Sequence, residues 1–231
     1  MILISIIRDC ARVLTFRQPS VDIARHWPAY LAFGLICSWL AGVGRYWDNP
    51  KAELWQYLGL GSVAYVFVLA LILWVLIKPL KPVRWSYRSV LIFVTLTSPP
   101  AILYAIPVER FLAPDIAQAA NAWFLGIVAF WRVALLFWFL KVIARLSGLT
   151  IVVASLLPIT LIVISLALLN LEHVVFNLMS GINPDDRSPN DIAYQIVTLL
   201  AIFSFMSAPF LIIGYVIAIV RAHVYQGGID D

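Results

Sequence analysis

The chain has 231 residues, of which 63% are hydrophobic and 12% are charged, with a mean hydropathy of +0.95 and a net charge of +4. An ordinary soluble domain is about 45–50% apolar and about 25% charged. The composition therefore excludes a soluble globular protein, a disordered chain and a disulfide-rich secreted module. It predicts an all-α fold, in which one polytopic bundle of membrane helices forms a single domain over residues 1–231.

The chain begins with an amphipathic segment at residues 1–20. Residues 1–7 are apolar, but they lack the basic region and the small-residue cleavage site of a signal peptide, and they are too short to span a bilayer. Four charged residues follow, Arg8, Asp9, Arg12 and Arg17. This pattern predicts an interfacial helix that lies on the inner leaflet of the membrane.

Six later stretches are long and apolar enough, or nearly so, to cross the hydrocarbon layer as helices of about 20 residues. They are residues 27–44, 58–77, 89–106, 122–144, 149–170 and 192–220. The fourth and fifth are separated only by a short turn, in which Ser147 and Gly148 supply the break. The sixth is long enough to tilt in the membrane or to continue beyond it.

The basic residues predict the orientation of these spans. With the N-terminus in the cytoplasm, eleven Lys and Arg residues fall on the cytoplasmic side, four fall on the opposite side, and one, Arg132, stays inside a span. The cytoplasmic set is Arg8, Arg12, Arg17, Arg25, Lys78, Lys81, Arg84, Arg88, Lys141, Arg145 and Arg221. This bias follows the positive-inside rule. It predicts an integral protein of a bacterial inner membrane with both termini in the cytoplasm.

Arg132 lies near the middle of the fourth span, where an arginine costs roughly 2.5–3.5 kcal/mol to insert. Such a residue normally faces the bundle interior and needs hydrogen-bond acceptors. The third span offers them, because Pro99 and Pro100 each disrupt a helical hydrogen bond to the carbonyl four residues earlier. The carbonyls of Thr95 and Leu96 are thereby freed, and we expect Arg132 to cap them.

Further polar side chains lie close to the two prolines. The predicted intramembrane polar site is Arg132, Thr95, Ser98, Pro99, Pro100 and Tyr104. Two interpretations of Arg132 stay open: a structural clamp or snorkelling side chain, and a binding site for an anionic headgroup or substrate.

The third and sixth spans share a short sequence pattern. Residues 98–103 read SPPAIL and residues 207–212 read SAPFLI. Because these spans cross in opposite directions, a three-plus-three repeat would be inverted, which is typical of transporters with discontinuous helices in matching positions. The alternative is a chance match, since proline is common in membrane helices.

Two surface patterns have both a structural and a binding interpretation. Gly34, Ser38 and Gly42 form a small-residue groove at four-residue intervals, which favours close helix packing inside the bundle, or else self-association or a partner helix. The basic segment at residues 78–88, which includes Trp85 and Tyr87, suits contact with anionic lipid. Ordinary topogenic charge explains that segment equally well.

Standard catalytic motifs are missing from the sequence. It has no Gly-rich phosphate loop with a Lys, no paired His at metal spacing and no Gly-flanked Ser nucleophile. Cys10 and Cys37 have neither the spacing of metal ligands nor that of a disulfide framework. We therefore expect a protein that is not an enzyme, with no metal, no cofactor and no nucleic-acid partner.

Two features resemble the Yip family of multi-span membrane proteins and its bacterial relatives. They are the basic, proline-containing lead-in at residues 14–19, and Thr97-Ser98-Pro99-Pro100 in the third span, followed by Pro107. The resemblance covers about residues 12–170, although family members usually have five spans. It implies a non-enzymatic helper in membrane organisation.

Two functional hypotheses result. The first is a non-enzymatic integral membrane protein that organises or binds partners or lipids in the membrane, as the short loops favour. The second is a permease subunit, for instance of an ATP-driven exporter, as the six spans and the surface helix favour. The expected partners are the lipid bilayer, anionic lipid, a second copy of the chain or another membrane protein.

Overall fold

The structure is a computed structural model that describes residues 2–20, 22–47, 53–169 and 192–227. All regular secondary structure in these residues is helical, as the composition predicts. The α-helices are α1 (Ile2–Leu14), α2 (Asp22–Arg25), α3 (Trp27–Tyr46), α4 (Leu54–Tyr57), α5 (Leu60–Ile77), α6 (Tyr87–Leu96), α7 (Pro114–Val142), α8 (Leu149–Leu168) and α9 (Ile192–Gly227). Short 3₁₀ helices occupy Lys78–Leu80, Pro99–Ala105 and Val108–Arg110.

Five of the helices are long and apolar enough to cross a membrane, namely α3, α5, α7, α8 and α9. The helices α6 and Pro99–Ala105 meet at 43° and raise this number to six when they are taken together as one span. We call this pair the bent span. The helical content and these apolar lengths are those of a multi-pass membrane protein, while the exact set of six spans stays a prediction.

Local sequence explains where several helices begin. The Ser86 hydroxyl accepts a hydrogen bond from the amide of Ser89, and the Ser89 hydroxyl in turn accepts one from the amide of Ser86, so that α6 begins with a capping box. Pro28 occupies the first turn of α3, where its missing amide hydrogen is not needed. Before α8, Gly148 has a φ of +54°, a conformation that glycine adopts without steric cost. This turn lies where the sequence predicts a break.

The described residues form two compact units, whereas sequence analysis placed no boundary inside the chain. Unit 1 contains the described residues of 1–71 and 86–135. Unit 2 contains residues 72–85 and the described residues of 136–176 and 187–231. Helices α5 and α7 contribute residues to both units.

In unit 1, α3 packs along both halves of the bent span. Gly34 lies against Thr95, and a Cβ atom at Gly34 would come within 2.3 Å of the Thr95 Cβ. Gly44 lies against Ala105 in the same way, with 2.4 Å between the corresponding atoms. Because these two pairs have the same sequence separation, α3 and the bent span run parallel. Glycine at both positions allows the two backbones to approach this closely.

In unit 2, α8 packs against α9. The hydroxyl of Tyr215 in α9 donates to the carbonyl of Leu76, over 2.6 Å. The indole N–H of Trp85 donates to the carbonyl of Trp74, and its ring lies 5.9 Å from that of Phe139. The first contact joins α9 to the end of α5, and the contacts of Trp85 join the segment after α5 to α5 and α7.

An inverted repeat would place a helix break in both the third and the sixth span, but the structure has a break in the third span alone among the described residues. The third span breaks at its two prolines, whereas α9 continues through Pro209 from Ile192 to Gly227. A single proline removes one amide donor, and the rest of a long helix bridges the gap, whereas two adjacent prolines remove two consecutive donors. Helix α9 therefore has no break that would match the one in the third span.

Candidate functional site

The break in the bent span lies where the two prolines predict it. Helix α6 ends at Leu96, and the 3₁₀ helix begins at Pro99. The carbonyl of Thr95 accepts a hydrogen bond from the amide of Ser98, over 3.0 Å, in the tighter pattern of a 3₁₀ turn. The residue four positions after Leu96 is Pro100, which has no amide hydrogen to donate to the Leu96 carbonyl.

The Leu96 carbonyl is capped by the N-terminal helix. The thiol of Cys10 in α1 donates to it, with a sulfur-to-oxygen distance of 3.5 Å, and both groups are buried. Sequence analysis assigned this role to Arg132. The described hydrogen bonds give the carbonyls of Thr95 and Leu96 other donors instead, because the turn closes on itself and α1 packs against the break.

One stripe of α1 is buried in unit 1. It consists of Ile6, Asp9, Cys10 and Val13, which follow the spacing of one face of a helix. Contacts with α3 and α6 cover this stripe. At the end of the helix, the indole N–H of Trp131 in α7 donates to the carbonyl of Leu14, over 3.0 Å. The N-terminal helix is thus fixed to three other helices of the unit.

The buried carboxylate of Asp9 is the polar anchor of α1. It is fully buried, and it accepts hydrogen bonds from the amide of Ser20 at 3.0 Å, from the Ser20 hydroxyl, and from the hydroxyl of Tyr30 at 2.7 Å. The Arg12 guanidinium lies 3.7 Å away. Burial raises the pKa of Asp9, but these hydrogen bonds and the charge of Arg12 outweigh it and hold the pKa below its ordinary value.

The other side of α1 is exposed and has two kinds of surface. Leu3, Ile4 and Ile7 leave half or more of their surface uncovered. Arg8 and Arg12, one helical turn apart, form an exposed cationic edge beside them. Besides these two exposed surfaces, α1 has a third face that sequence analysis did not foresee, the face that docks on the protein.

The hydroxyl groups of the predicted polar site bond within α6. Thr95 donates to the carbonyl of Ile92 at 2.8 Å, and Ser98 donates to the carbonyl of Val94 at 3.1 Å. Both side chains are buried, whereas Tyr104 is half-buried. Pro99 and Pro100 begin the 3₁₀ helix beside them. The hydroxyl groups of Thr95 and Ser98 therefore already have carbonyl partners in α6.

Arg132 has different neighbours from the ones predicted. Its guanidinium carbon lies 5.5 Å from the ring centroid of Tyr65 in α5. Its Nη2 atom is buried and has no hydrogen-bond partner among the described residues. The described ring contacts and hydrogen bonds join Arg132 to Tyr65 and not to the bent span.

The small-residue groove of α3 is filled by unit 1 itself. Gly34 lies against Thr95, and Gly42 lies against Ser62, with 2.6 Å between a Cβ built at Gly42 and the Ser62 Oγ. Ser38 is buried, and its hydroxyl donates to the carbonyl of Gly34, over 2.9 Å. Packing within the chain therefore accounts for all three residues.

Several exposed cations lie over aromatic rings. In unit 1, the guanidinium carbon of Arg88 lies 5.6 Å from the ring centroid of Trp27. In unit 2, the Lys78 ammonium lies 4.9 Å from that of Trp74. Such pairs are common where a helix end meets the membrane surface, so they suit either interpretation of the basic segment.

The described residues include no group of three or more His, Cys, Asp or Glu side chains placed to hold a metal ion. Comparison with known proteins finds no family model, no curated protein and no solved structure that matches the chain. The resemblance to the Yip family therefore stays a prediction from the sequence.

Proposed function

We propose that the protein is a non-enzymatic integral membrane protein that organises lipids in the bilayer, with α1 as the element that meets the lipid headgroups. The observation that carries this proposal is the three-faced surface of α1. One face is docked on unit 1, one is apolar and exposed, and one is cationic and exposed. A helix with such faces lies in the boundary between acyl chains and headgroups.

The basic residues of α1 and of the segment that follows it suit anionic lipid. Arg8 and Arg17 are exposed, and the basic residues Arg25 and Arg88 are exposed in the same unit. Each basic residue near an anionic leaflet contributes about 1 kcal/mol of attraction. The positive-inside pattern predicts that α1 is on the cytoplasmic side, and the resemblance to the Yip family implies the same kind of role in membrane organisation.

Docking distinguishes this helix from a free amphipathic anchor. The Asp9 carboxylate and the Cys10 thiol fix the rotation of α1 about its own axis, because both must point into unit 1. The cationic edge and the apolar face therefore point in fixed directions. A protein with such a helix orders the lipids that surround it.

Spin labelling tests the position of α1. In a background with Cys10→Ser and Cys37→Ser, labels are attached to Leu3→Cys and, separately, to Arg8→Cys. We expect the label at residue 3 to be relaxed by oxygen, which concentrates in the acyl region, and the label at residue 8 by an aqueous nickel chelate. Equal relaxation of both labels by the nickel chelate would contradict the proposal.

Lipid analysis tests the function itself. The protein is extracted from its membrane with a polymer that retains surrounding lipids, and the fraction of anionic lipid is measured. We expect the double variant Arg8→Gln/Arg17→Gln to retain less anionic lipid than the wild type. Arg110→Gln is the matched control, because Arg110 is exposed in the same unit but belongs to the opposite side in the predicted topology. Equal enrichment in all three proteins refutes lipid organisation by α1.

A permease subunit is the second candidate function. The 43° bend between α6 and Pro99–Ala105 favours it, because broken spans occur at the substrate sites of transporters. The discriminating experiment is copurification from the native membrane. A stoichiometric nucleotide-binding partner supports transport, whereas isolation without one, together with no substrate flux, supports the lipid organiser.

A further inference from the structure

Arg132 is a charged group in an apolar environment. It belongs to the apolar stretch Ala119–Val142 of α7 and lies close to its middle. Ionisable residues at such positions normally pair with an opposite charge or with backbone carbonyls. An arginine keeps its charge in proteins, so it needs such a partner and cannot become neutral by losing a proton.

The described surroundings of Arg132 do not neutralise it. Tyr65 offers the face of its ring, which attracts the positive charge but is not a hydrogen-bond acceptor like a carboxylate or carbonyl oxygen. The buried Nη2 atom has no partner among the described residues. The carboxylates whose side chains the structure describes, Asp9 and Glu53, already bond to other groups. An oxyanion from outside the described chain would supply both the charge and the acceptors.

The surface around Tyr65 indicates what carries this oxyanion. Half of the Tyr65 side chain is exposed, and Val68 and Leu71, three and six residues further along α5, are exposed as well. The strip formed by these three residues is apolar and belongs to a helix long enough to cross the membrane. A hydrated inorganic ion would lose its water there without compensation, whereas an acyl chain would cover the strip.

We infer that Arg132 and Tyr65 form a binding site for an anionic amphiphile, whose phosphate or carboxylate group bonds to the guanidinium and whose acyl chain lies along Tyr65, Val68 and Leu71. Guanidinium groups bind such oxyanions through paired, charge-assisted hydrogen bonds. The half-exposed ring of Tyr65 turns aside as the ligand enters. The site uses no residue of α1, so it goes beyond the proposed function and does not depend on it.

Native mass spectrometry of the full-length protein tests the site. The delipidated protein is titrated separately with phosphatidylglycerol, with palmitate and with inorganic phosphate. We expect one saturable site for an amphiphile and none for inorganic phosphate. Preference for phosphatidylglycerol identifies a phospholipid ligand, and preference for palmitate identifies a fatty-acid ligand. Saturable binding of inorganic phosphate with the same affinity would overturn the inference.

Variants connect this binding to the residues. Losing charge-assisted hydrogen bonds should weaken binding at least ~10-fold in Arg132→Gln, while Arg132→Lys should keep part of the affinity and Tyr65→Leu should lose less than Arg132→Gln. Arg88→Gln is the matched control, since Arg88 also lies over an aromatic ring but is exposed. Unchanged affinity in Arg132→Gln, or an equal loss in Arg88→Gln, would overturn the inference. If Arg132→Gln fails to fold, the affinities of Arg132→Lys and Tyr65→Leu are used instead. Unchanged affinity in both of these variants would overturn the inference.

Discussion

Asp9 and Arg132 are both charged residues of unit 1, but they differ in burial and in hydrogen-bond partners. Asp9 is fully buried, and its carboxylate has three hydrogen-bond donors and a nearby guanidinium. Arg132 is half-buried, and a nitrogen of its guanidinium has no described partner. A buried charge with hydrogen-bond partners holds the surrounding groups in one arrangement, whereas a buried charge without them lowers the stability of the fold. Asp9 therefore serves the fold, and we propose that Arg132 serves a ligand.

The largest effect should come from removing the satisfied charge. In Asp9→Ala, Ser20 and Tyr30 lose their common acceptor, and α1 loses its anchor. We expect a destabilisation of roughly 3 kcal/mol, since hydrogen bonds to charged groups contribute about 1.5–3 kcal/mol each. Burial raises the pKa of Cys10 to about 11, so its thiol should react slowly with maleimide in the wild type. In Asp9→Ala, the reaction should accelerate strongly.

The alkylation is measured in a Cys37→Ser background, so that Cys10 is the thiol that is followed. Arg8→Gln is the control, because it changes an exposed charge on the same helix. An unchanged alkylation rate in Asp9→Ala would show that the carboxylate does not hold α1 in place.

Removing the unsatisfied charge should have the opposite sign. In lipid-free detergent, we expect Arg132→Leu to raise the free energy of unfolding by about 1 kcal/mol, because the unpaired cation costs more than its contact with Tyr65 returns. The measurement is unfolding in increasing denaturing detergent. A loss of stability as large as that of Asp9→Ala would abolish the contrast between the two residues.

Removing one donor from the satisfied site should have a smaller effect than removing the Asp9 carboxylate. Tyr30→Phe deletes the hydroxyl that lies 2.7 Å from the Asp9 carboxylate and keeps the ring. We expect a destabilisation of about 1.5 kcal/mol and an intermediate rate of Cys10 alkylation. An alkylation rate equal to that of the wild type would mean that the two Ser20 donors suffice.

Acid should release α1 at the low end of the pH scale. The pKa of Asp9 in the docked state lies below its ordinary value. The stabilisation is therefore complete above that ordinary value and is lost as the pH falls through the lowered one. We divide the alkylation rate of Cys10 by that of the unfolded chain at the same pH, and we expect this ratio to be constant between pH 5 and 8 and to rise only in strong acid. The measurement uses an acid-tolerant thiol reagent. A rise near pH 6 would point to a different group.

The smallest effect should come from the thiol itself. Sulfur is a weak hydrogen-bond donor, and Cys10→Ser places a stronger donor beside the Leu96 carbonyl. We expect a change in stability of less than about 1 kcal/mol. Cys10→Ala leaves that carbonyl without a donor and should cost more than Cys10→Ser. If the two variants are equal in stability, the carbonyl does not need its cap.

Features that depend on neighbouring residues alone could be predicted from the sequence. The apolar lengths predicted the long helices, and Pro99 and Pro100 predicted the break, because a proline acts on the carbonyl one turn before it. The burial of Asp9 could also have been predicted, because this acid lies within the apolar stripe of α1 at positions 6, 9, 10 and 13.

Features that depend on which helices become neighbours could not be predicted. Sequence analysis placed Arg132 beside the freed carbonyls because both lie near the middle of a span. Similar depth does not decide which faces meet, and α1 reached the Leu96 carbonyl instead. The guanidinium met Tyr65, whose ring has no special signature in an apolar helix rich in aromatic residues.

The hydrogen bond between Trp131 and Leu14 has a consequence for biosynthesis. These residues are 117 positions apart, and translation adds about 5–20 residues per second. Helix α1 therefore waits roughly 6–23 s before its partner in α7 is made. Until then, α1 lacks its hydrogen bond to α7. The contact with α7 is thus the last of the contacts that hold α1, and in a chain that stops before α7 we expect Cys10 to be alkylated faster than in the full chain.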